Sequence, residues 1–191
     1  MKKSILFGIL FSAMVIFAGC ITKCPKADTS VLDWFPYENE QTFVLSDNDS
    51  TKNFSVNEIS FDHQESWSSL MDCATCHNYF TISFYASNLS ISLSSYGGYG
   101  ESPTIADLYI DLGYKDEDNY EQEHFDFDVI LKTNPEQAVY VARNSEQFYK
   151  KIVITKKIGI TEIETGTGTL FLQNPQEKPN TKNNVLKIRS C

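Results

Sequence analysis

The sequence is short of positive charge and has no long apolar segment beyond its amino terminus. Lysine and arginine number 16 against 25 aspartates and glutamates, so the formal net charge is −9. An acidic surface repels the phosphates of nucleic acid and anionic lipid headgroups, which argues against both as partners. After residue 20 no apolar run approaches the roughly 20 residues of a transmembrane helix. We therefore expect the remainder of the chain to fold outside the bilayer.

The sequence also lacks the short motifs that mark several large enzyme classes. It contains no phosphate-binding P-loop, no Gly-x-Gly-x-x-Gly motif and no Gly-x-Ser-x-Gly nucleophile elbow. A pair of carboxylates for glycoside hydrolysis cannot be singled out among 25 acidic residues. We therefore predict that the protein is not an enzyme and that it has no catalytic residues, no cofactor and no metal ligands.

The first 19 residues have the features of an export signal, with two lysines before an apolar stretch at residues 5–17. The segment Phe17-Ala18-Gly19-Cys20 that follows resembles the lipobox of bacterial lipoproteins, with phenylalanine in place of the usual leucine. The resemblance implies cleavage before Cys20 and attachment of acyl chains such as palmitate to that residue. It predicts a lipid anchor in the bacterial cell envelope, at the outer membrane. A plain secretory signal with a cysteine beside its cleavage site is the alternative.

Cleavage after residue 19 would leave 191 − 19 = 172 residues, enough for one domain with a hydrophobic core. We expect a lipidated tether at residues 20–33 and a single domain at residues 34–191. Five cysteines lie in this part of the chain: Cys20, Cys24, Cys73, Cys76 and Cys191.

An oxidising compartment and an even number of remaining thiols favour disulfides. Once lipid occupies Cys20, four cysteines are left, and they allow three pairings. The most economical pairing is Cys73–Cys76 with Cys24–Cys191, which would join the two ends of the domain. Free thiols at Cys24 and Cys191 are an open alternative.

Residues 73–77 read Cys-Ala-Thr-Cys-His, which is the attachment sequence of c-type haem. An electron carrier that holds haem through Cys73, Cys76 and His77 is therefore the main alternative function. A local disulfide is the interpretation that we favour, since the surrounding sequence predicts strands and not the helices that commonly wrap a haem. A metal site or a redox-active thiol pair is a third interpretation.

The haem hypothesis also needs a sixth iron ligand, commonly methionine or histidine. Met71 lies only two residues before Cys73 and is too near to reach the far face of the ring. His63 and His124 are the remaining candidates.

Apolar residues alternate with polar ones through most of the chain, which is typical of β-strands with one buried face. Around residues 54–61 the alternation changes phase, because Phe54 and Val56 are followed by Ile59 and Phe61. Turn-forming segments separate about ten or eleven such strands. The predicted fold is all-β, a single antiparallel sandwich or barrel, with a helical turn or two expected only at residues 144–151.

Two stretches of this pattern resemble small uncharacterised all-β lipoproteins of Bacteroidetes-type bacteria. The first is VLDWFPYENEQTFVLSDNDSTKNFSV at residues 31–56, and the second combines KIVIT, KIGITEIET and GTGTLFL in the carboxyl-terminal part. The resemblance implies an all-β envelope lipoprotein. That family has no agreed activity, so it implies no functional residues.

Two further features suggest ligands. The acidic residues 116–118, in a predicted hairpin loop, are candidate calcium ligands, although a solvated surface explains them more simply. Tyrosines near loops, at Tyr96, Tyr99 and Tyr114, are candidates for stacking on sugar rings. Taken together, the sequence predicts a non-enzymatic binding or structural role in the envelope, with an unknown envelope protein or glycan as partner.

Overall fold

The computed structural model describes residues 26, 28–66, 75–98, 101–116, 119–124, 127–173, 175 and 186–190. Side chains are described for these residues except 65, 66, 75, 114–116, 119–124 and 186–190. The predicted signal peptide, Cys20, Cys24, Cys73 and Cys191 lie outside this part of the chain.

The protein is all-β, as its alternating sequence predicts. The twelve strands are β1 (Thr42–Ser46), β2 (Thr51–Ser66), β3 (Thr75–Ala86), β4 (Leu89–Gly97), β5 (Tyr109–Asp116), β6 (Asn119–His124), β7 (Phe127–Thr133), β8 (Glu136–Ala142), β9 (Tyr149–Thr155), β10 (Gly159–Thr165), β11 (Gly168–Leu172) and β12 (Leu186–Ser190). Two short 3₁₀ helices, Ser30–Trp34 and Ile105–Asp107, are the helical elements within the described ranges. None of the helices found there is long and apolar enough to cross a bilayer.

All twelve strands belong to one sheet, in the order β6-β5-β4-β3-β2-β1-β11-β10-β9-β8-β7, with β12 beside β2. Neighbours along this order are antiparallel, whereas β12 runs parallel to the second half of β2. Strand β2 is 16 residues long. Its first half therefore pairs with β1 and its second half, from Phe61 to Glu65, with β12.

The sheet is curled into a half-barrel. Strands β6 and β7 lie at opposite ends of the strand order, yet His124 and Phe127 are only three residues apart in the chain. Their Cα atoms are therefore at most about 11 Å apart. Hydrogen bonds also cross the interior, because the Tyr149 hydroxyl donates to the Gly113 carbonyl at 3.1 Å and the Tyr140 hydroxyl donates to the Ile105 carbonyl.

The inward faces of the strands enclose one hydrophobic core. Aromatic rings occupy its centre, with Phe43 stacked on Phe54 at a centroid distance of 5.4 Å and set edge-on to Phe84 at 5.5 Å. Burying a side chain of this size contributes about 1.5–3 kcal/mol relative to leaving it exposed. The largest fully buried side chains are Tyr37, Tyr140, Tyr149, Phe35, Phe54, Phe61, Phe80, Phe84, Leu32, Leu45, Ile82 and Ile91.

The phase change predicted in the second strand is a β-bulge. The pairing of β2 with β3 shifts register between Val56 and Glu58, so that Asn57 is the extra residue. The bulge lets Phe54 and Val56, before it, and Ile59, after it, all face the core.

Three details differ from the sequence-based expectations. The predicted helical turn at residues 144–151 is wrong, because bends and turns lead there into β9, whose first residue Tyr149 is buried. Val31 and Leu32, assigned to the tether, are each 1% exposed and belong to the core. The alternation of Phe127 and Val129, which pack against the core, does not extend to Leu131, which is 55% exposed because β7 ends the strand order.

Candidate binding face on strands β2 to β5

The outer face of β2–β5 carries polar and aromatic side chains that alternate with the core residues. On β3 the inward residues Phe80, Ile82 and Phe84 are at most 1% exposed, so their neighbours point outward. Strand pairing places these outward residues in rows across the sheet. The rows are Asp62–Tyr79–Tyr96, Ser60–Thr81–Ser94–Tyr109, Glu58–Ser83–Ser92–Asp111 and Ser55–Tyr85–Ser90–Gly113.

Three of the outward residues are exposed tyrosines at one end of this face. Tyr79, Tyr96 and Tyr109 are 43%, 56% and 60% exposed. Tyr79 pairs directly with Tyr96 across β3 and β4. Tyr109 pairs with Ser94, two residues along β4 from Tyr96, and is therefore its diagonal neighbour. The register thus brings three large rings together that are far apart in the sequence.

His77 orients the middle tyrosine of this group. The rings of His77 and Tyr96 are stacked with centroids 5.5 Å apart and an interplanar angle of 26°. Nδ1 of His77 is also hydrogen-bonded to the Tyr96 hydroxyl. A ring held in this way loses less side-chain entropy when a ligand binds to it.

A cleft of about 650 Å³ crosses the other end of the same face. Most of its polar lining comes from the outer rows of β2–β5, and Tyr85, which is 51% exposed, is one of the lining residues. The inward neighbours that share the lining, such as Phe84 and Ile91, are at most 1% exposed, so the cleft opens outward. Serine occupies the outward positions Ser83, Ser90 and Ser92, and these short side chains leave the space open.

The β-bulge and an unusual backbone conformation lie at the edge of this cleft. Asn57 of the bulge and Glu40 both line it. Glu40 has a φ of 65°, in the left-handed region, and its amide donates to the Val56 carbonyl at 2.8 Å. Bulges and strained residues of this kind are common beside binding sites, where they redirect side chains.

Two carboxylates line the cleft. Among the described side chains, the charged residues of the lining are Glu40 and Asp111. The remaining polar lining consists of serine hydroxyls, the Asn57 amide and the Tyr85 ring with its hydroxyl. The described lining therefore offers hydrogen-bond partners and an aromatic ring.

The residues proposed for haem attachment are separated by the geometry of β3. Cys76 lies on the inward face and is 7% exposed, whereas His77 points outward and contacts Tyr96. Adjacent residues of a strand point to opposite faces, so this conformation directs His77 away from the Cys76 sulfur. Cys76 is the one cysteine among the described residues, and its predicted pairing with Cys73 stays a prediction.

Of the candidates for a sixth haem ligand, only His63 has a described side chain. His63 is buried, 6% exposed, and its Nδ1 donates to Oδ1 of Asn78 at 2.7 Å, since an amide oxygen can only accept. Nδ2 of Asn78 donates to the Glu101 carbonyl at 2.6 Å. His124 belongs to β6 but its side chain is outside the described set, as is Met71.

No metal centre forms within the part of the chain that the structure describes, where no three acidic, histidine or cysteine side chains converge. Asp116 pairs with Asn119 across the antiparallel strands β5 and β6, on either side of the proposed calcium ligands. Residues 117 and 118 themselves lie outside the described ranges.

Of the three tyrosines proposed to stack on sugars, only Tyr96 has a described side chain, and it lies on the exposed face. Tyr99 and the Tyr114 side chain lie outside the described residues. Sequence reasoning missed Tyr79, Tyr85 and Tyr109, because it looked for aromatic residues near loops. The signal that identifies them is their phase, since each alternates with core residues along its strand.

Comparison with known proteins finds no match: no protein-family model, no curated protein and no solved structure is significantly similar to the chain. The functional argument therefore depends on the residues and their geometry.

Proposed function

We propose that this protein is a lipid-anchored, non-enzymatic binding protein of the bacterial cell envelope, and that the outer face of β2–β5 binds a glycan. The observation that carries the proposal is the grouping of Tyr79, Tyr96 and Tyr109 on the face that also bears the cleft. Acyl chains on Cys20 would hold the protein at the outer membrane.

The chemistry of the face supports a glycan. Sugar rings present C–H groups on one side, which pack against aromatic rings, and hydroxyls around their edge, which need hydrogen-bond partners. The tyrosines supply rings, while Ser83, Ser92 and Asn57 supply hydroxyl and amide groups. Tyrosine is also enriched among the residues that contribute most to binding at protein interfaces.

The position of Asp28 indicates that the chain between the folded domain and the proposed lipid anchor is short. The backbone amide of Asp28 donates to the Ser102 hydroxyl at 3.1 Å, which attaches this residue to the loop after β4. Asp28 follows Cys20 by eight residues. Even fully extended, such a tether spans about 29 Å. Lipid attachment at Cys20 would therefore hold the binding face close to the envelope polymers beside the membrane.

The lipid anchor is tested by changing Cys20→Ser and, as the matched control, Cys24→Ser. We expect the Cys20 variant to leave the membrane fraction and the detergent-rich phase on Triton X-114 partitioning, while the Cys24 variant behaves like the parent protein. Several acyl chains bind a bilayer almost irreversibly, so the difference should be nearly complete. A Cys20 variant that stays with membranes after a high-salt wash contradicts the anchor.

The binding face is tested with the full-length protein in detergent, by affinity electrophoresis through gels that contain soluble neutral or acidic polysaccharides. We expect at least one polysaccharide to retard the protein. The triple variant Tyr79→Ala, Tyr96→Ala, Tyr109→Ala should migrate as in an empty gel, because each stacked ring lost removes about 0.5–1.5 kcal/mol of binding.

The control for this experiment is Phe171→Ala. Phe171 is 51% exposed on the outer face of β11, in the other half of the sheet, so its loss removes a similar exposed ring away from the proposed site. If the triple variant is retarded as strongly as the parent protein, glycan binding at this face is contradicted. It is contradicted equally if no polysaccharide retards the parent protein.

A further inference from the structure

The outer edge of β7 is a second surface, and its sequence indicates what binds there. We propose that the protein forms a two-fold symmetric dimer in which β7 of one copy pairs antiparallel with β7 of a second copy, centred on Ile130. The dimer does not depend on the proposed glycan binding, because β7 lies outside β2–β5 and ends the strand order.

The position of β7 makes its backbone available for such pairing. Among the described residues, β7 pairs with β8 on one side, and no strand is paired with its other side. An end strand presents backbone N–H and C=O groups along its outer edge, and these groups readily pair with a strand of another chain. Two identical strands paired antiparallel are related by a two-fold axis, so a single contact satisfies both copies.

The centre of β7 is apolar and exposed. Leu131 lies on the same face as Val129, which packs against the core, yet it is 55% exposed, and Ile130 on the opposite face is 52% exposed. Proteins usually protect an end strand with charged side chains. The other end strand, β6, has the polar sequence Asn-Tyr-Glu-Gln-Glu-His. In the proposed dimer Ile130 lies opposite Ile130 of the second copy, and Leu131 lies opposite its Val129.

Charge complementarity selects a second copy as the partner and fixes the register. Asp128 and Lys132 lie two residues before and two residues after Ile130, on the same face of the strand. With the two Ile130 residues opposite each other, each Asp128 lies opposite Lys132 of the other copy, and opposite charges in such cross-strand pairs are stabilising. A shift of two residues in either direction would instead place Ile130 opposite a charged side chain. The strand is therefore complementary to itself in one register.

The ion pair that Asp128 already makes is compatible with this dimer. Nε of Arg143 donates to Oδ1 of Asp128 at 2.8 Å, and the two side chains are 58% and 67% exposed. An ionised carboxylate has about four acceptor positions, so Asp128 can hold both Arg143 and Lys132 of the second copy. The second copy therefore adds to the Asp128–Arg143 pair and does not replace it.

The register is tested with introduced cysteines in the full-length protein in detergent. Ile130→Cys should give a covalent dimer on oxidation with copper phenanthroline, because directly opposite Cα atoms lie about 4.5–5.5 Å apart, within the range of a disulfide. Lys132→Cys, on the same strand and face, is the matched control. Its two copies would be four residues out of register, roughly 14 Å apart, and should not cross-link beyond the level of the parent protein.

The charges are tested with Asp128→Lys and Lys132→Asp. Each variant places like charges opposite each other twice and should weaken the dimer by about tenfold or more. Sedimentation equilibrium in density-matched detergent, with micelles in excess over protein, measures the dissociation constant. An equimolar mixture of the two variants should recover the affinity as a heterodimer, because each lysine then lies opposite an aspartate. Mixing would not rescue a variant that fails to fold or that only loses the ion pair with Arg143.

The outcomes separate the dimer from its details. A parent protein that is monomeric at every concentration overturns the dimer, as expected if another segment of the same chain covers the edge of β7. A dimer that both charge variants retain unchanged overturns β7 as its interface. Equal cross-linking of the two cysteine variants overturns the register. Each of these outcomes leaves the proposed glycan binding at β2–β5 intact.

Discussion

Tyr37 shows how a single side chain joins distant parts of this sheet. It is 1% exposed, its ring stacks on Phe43, and its hydroxyl accepts a hydrogen bond from the Ile160 amide at 2.8 Å. The adjacent Gly159 has a φ of 98°, and a Cβ atom there would lie 2.1 Å from the Tyr37 hydroxyl oxygen. Glycine at this position is therefore required both by the backbone conformation and by the close approach of the tyrosine.

We predict that Tyr37→Phe lowers the free energy of unfolding by about 1–3 kcal/mol, because it leaves the buried Ile160 amide without that acceptor. The measurement is urea unfolding followed by tryptophan fluorescence. Tyr85→Phe, at a tyrosine that is 51% exposed, is the matched control and should change stability by less than about 0.5 kcal/mol. Equal stability of the Tyr37 variant and the parent would show that this hydrogen bond contributes nothing.

At the scale of elements, local sequence determines most strands and turns of this protein. Alternation places Phe84 on β3 and Ile91 on β4 in the core, and the change of phase between Val56 and Ile59 coincides with the bulge that the structure shows. The segment at residues 144–151 does not form a helix because its last three residues, from Tyr149, belong to β9, which pairs with β8 and β10. Pairing with strands on both sides outweighs the weak helix propensity of so short a segment.

The turn between β1 and β2 is stabilised by hydrogen bonds between the Asp47 side chain and the backbone. Oδ1 of Asp47 accepts hydrogen bonds from the amides of Asp49 at 2.8 Å and Ser50 at 2.6 Å. These bonds favour the carboxylate and hold the pKa of Asp47 below its usual value. A lowered pKa in the folded state means that the stabilisation is present above the unfolded-state pKa of about 3.9 and is lost as the pH falls through the folded-state pKa.

We predict that Asp47→Ala lowers the melting temperature at pH 7, while Asp49→Ala, at a residue whose backbone amide makes the contact, has a smaller effect. The difference between the Asp47 variant and the parent should shrink as the pH falls from the unfolded-state pKa of about 3.9 through the lower folded-state pKa, because protonation weakens the acceptor in the parent. Thermal unfolding at pH 7 and at pH 2 to 3 measures both. A difference that does not change with pH contradicts the role assigned to the carboxylate.

At the scale of the whole molecule, the strands form one curled sheet, a half-barrel, which confirms the predicted all-β antiparallel fold. The described part of the chain holds only two short 3₁₀ helices, and β3 directs Cys76 and His77 to opposite faces. Both features argue against a haem enclosed by helices, although residues 73–77 match the attachment sequence of c-type haem.

We predict a colourless protein when the full chain is produced in a host with active cytochrome c maturation. Visible absorption spectra, recorded oxidised and after dithionite reduction, provide the measurement, and a known c-type cytochrome expressed in the same host is the control. A Soret band with sharp α and β bands on reduction would make the protein an electron carrier and would remove the disulfide proposed between Cys73 and Cys76.

The sequence by itself determined the all-β class, most strand positions and the identity of the core, because alternation with a period of two is a local property. The tertiary structure alone decided which outward residues meet. Tyr79 and Tyr109 are 30 residues apart and lie on one face only through the registers of β3 with β4 and of β4 with β5. Register depends on pairing between distant segments, and a shift of one residue would turn every side chain of a strand to the other face.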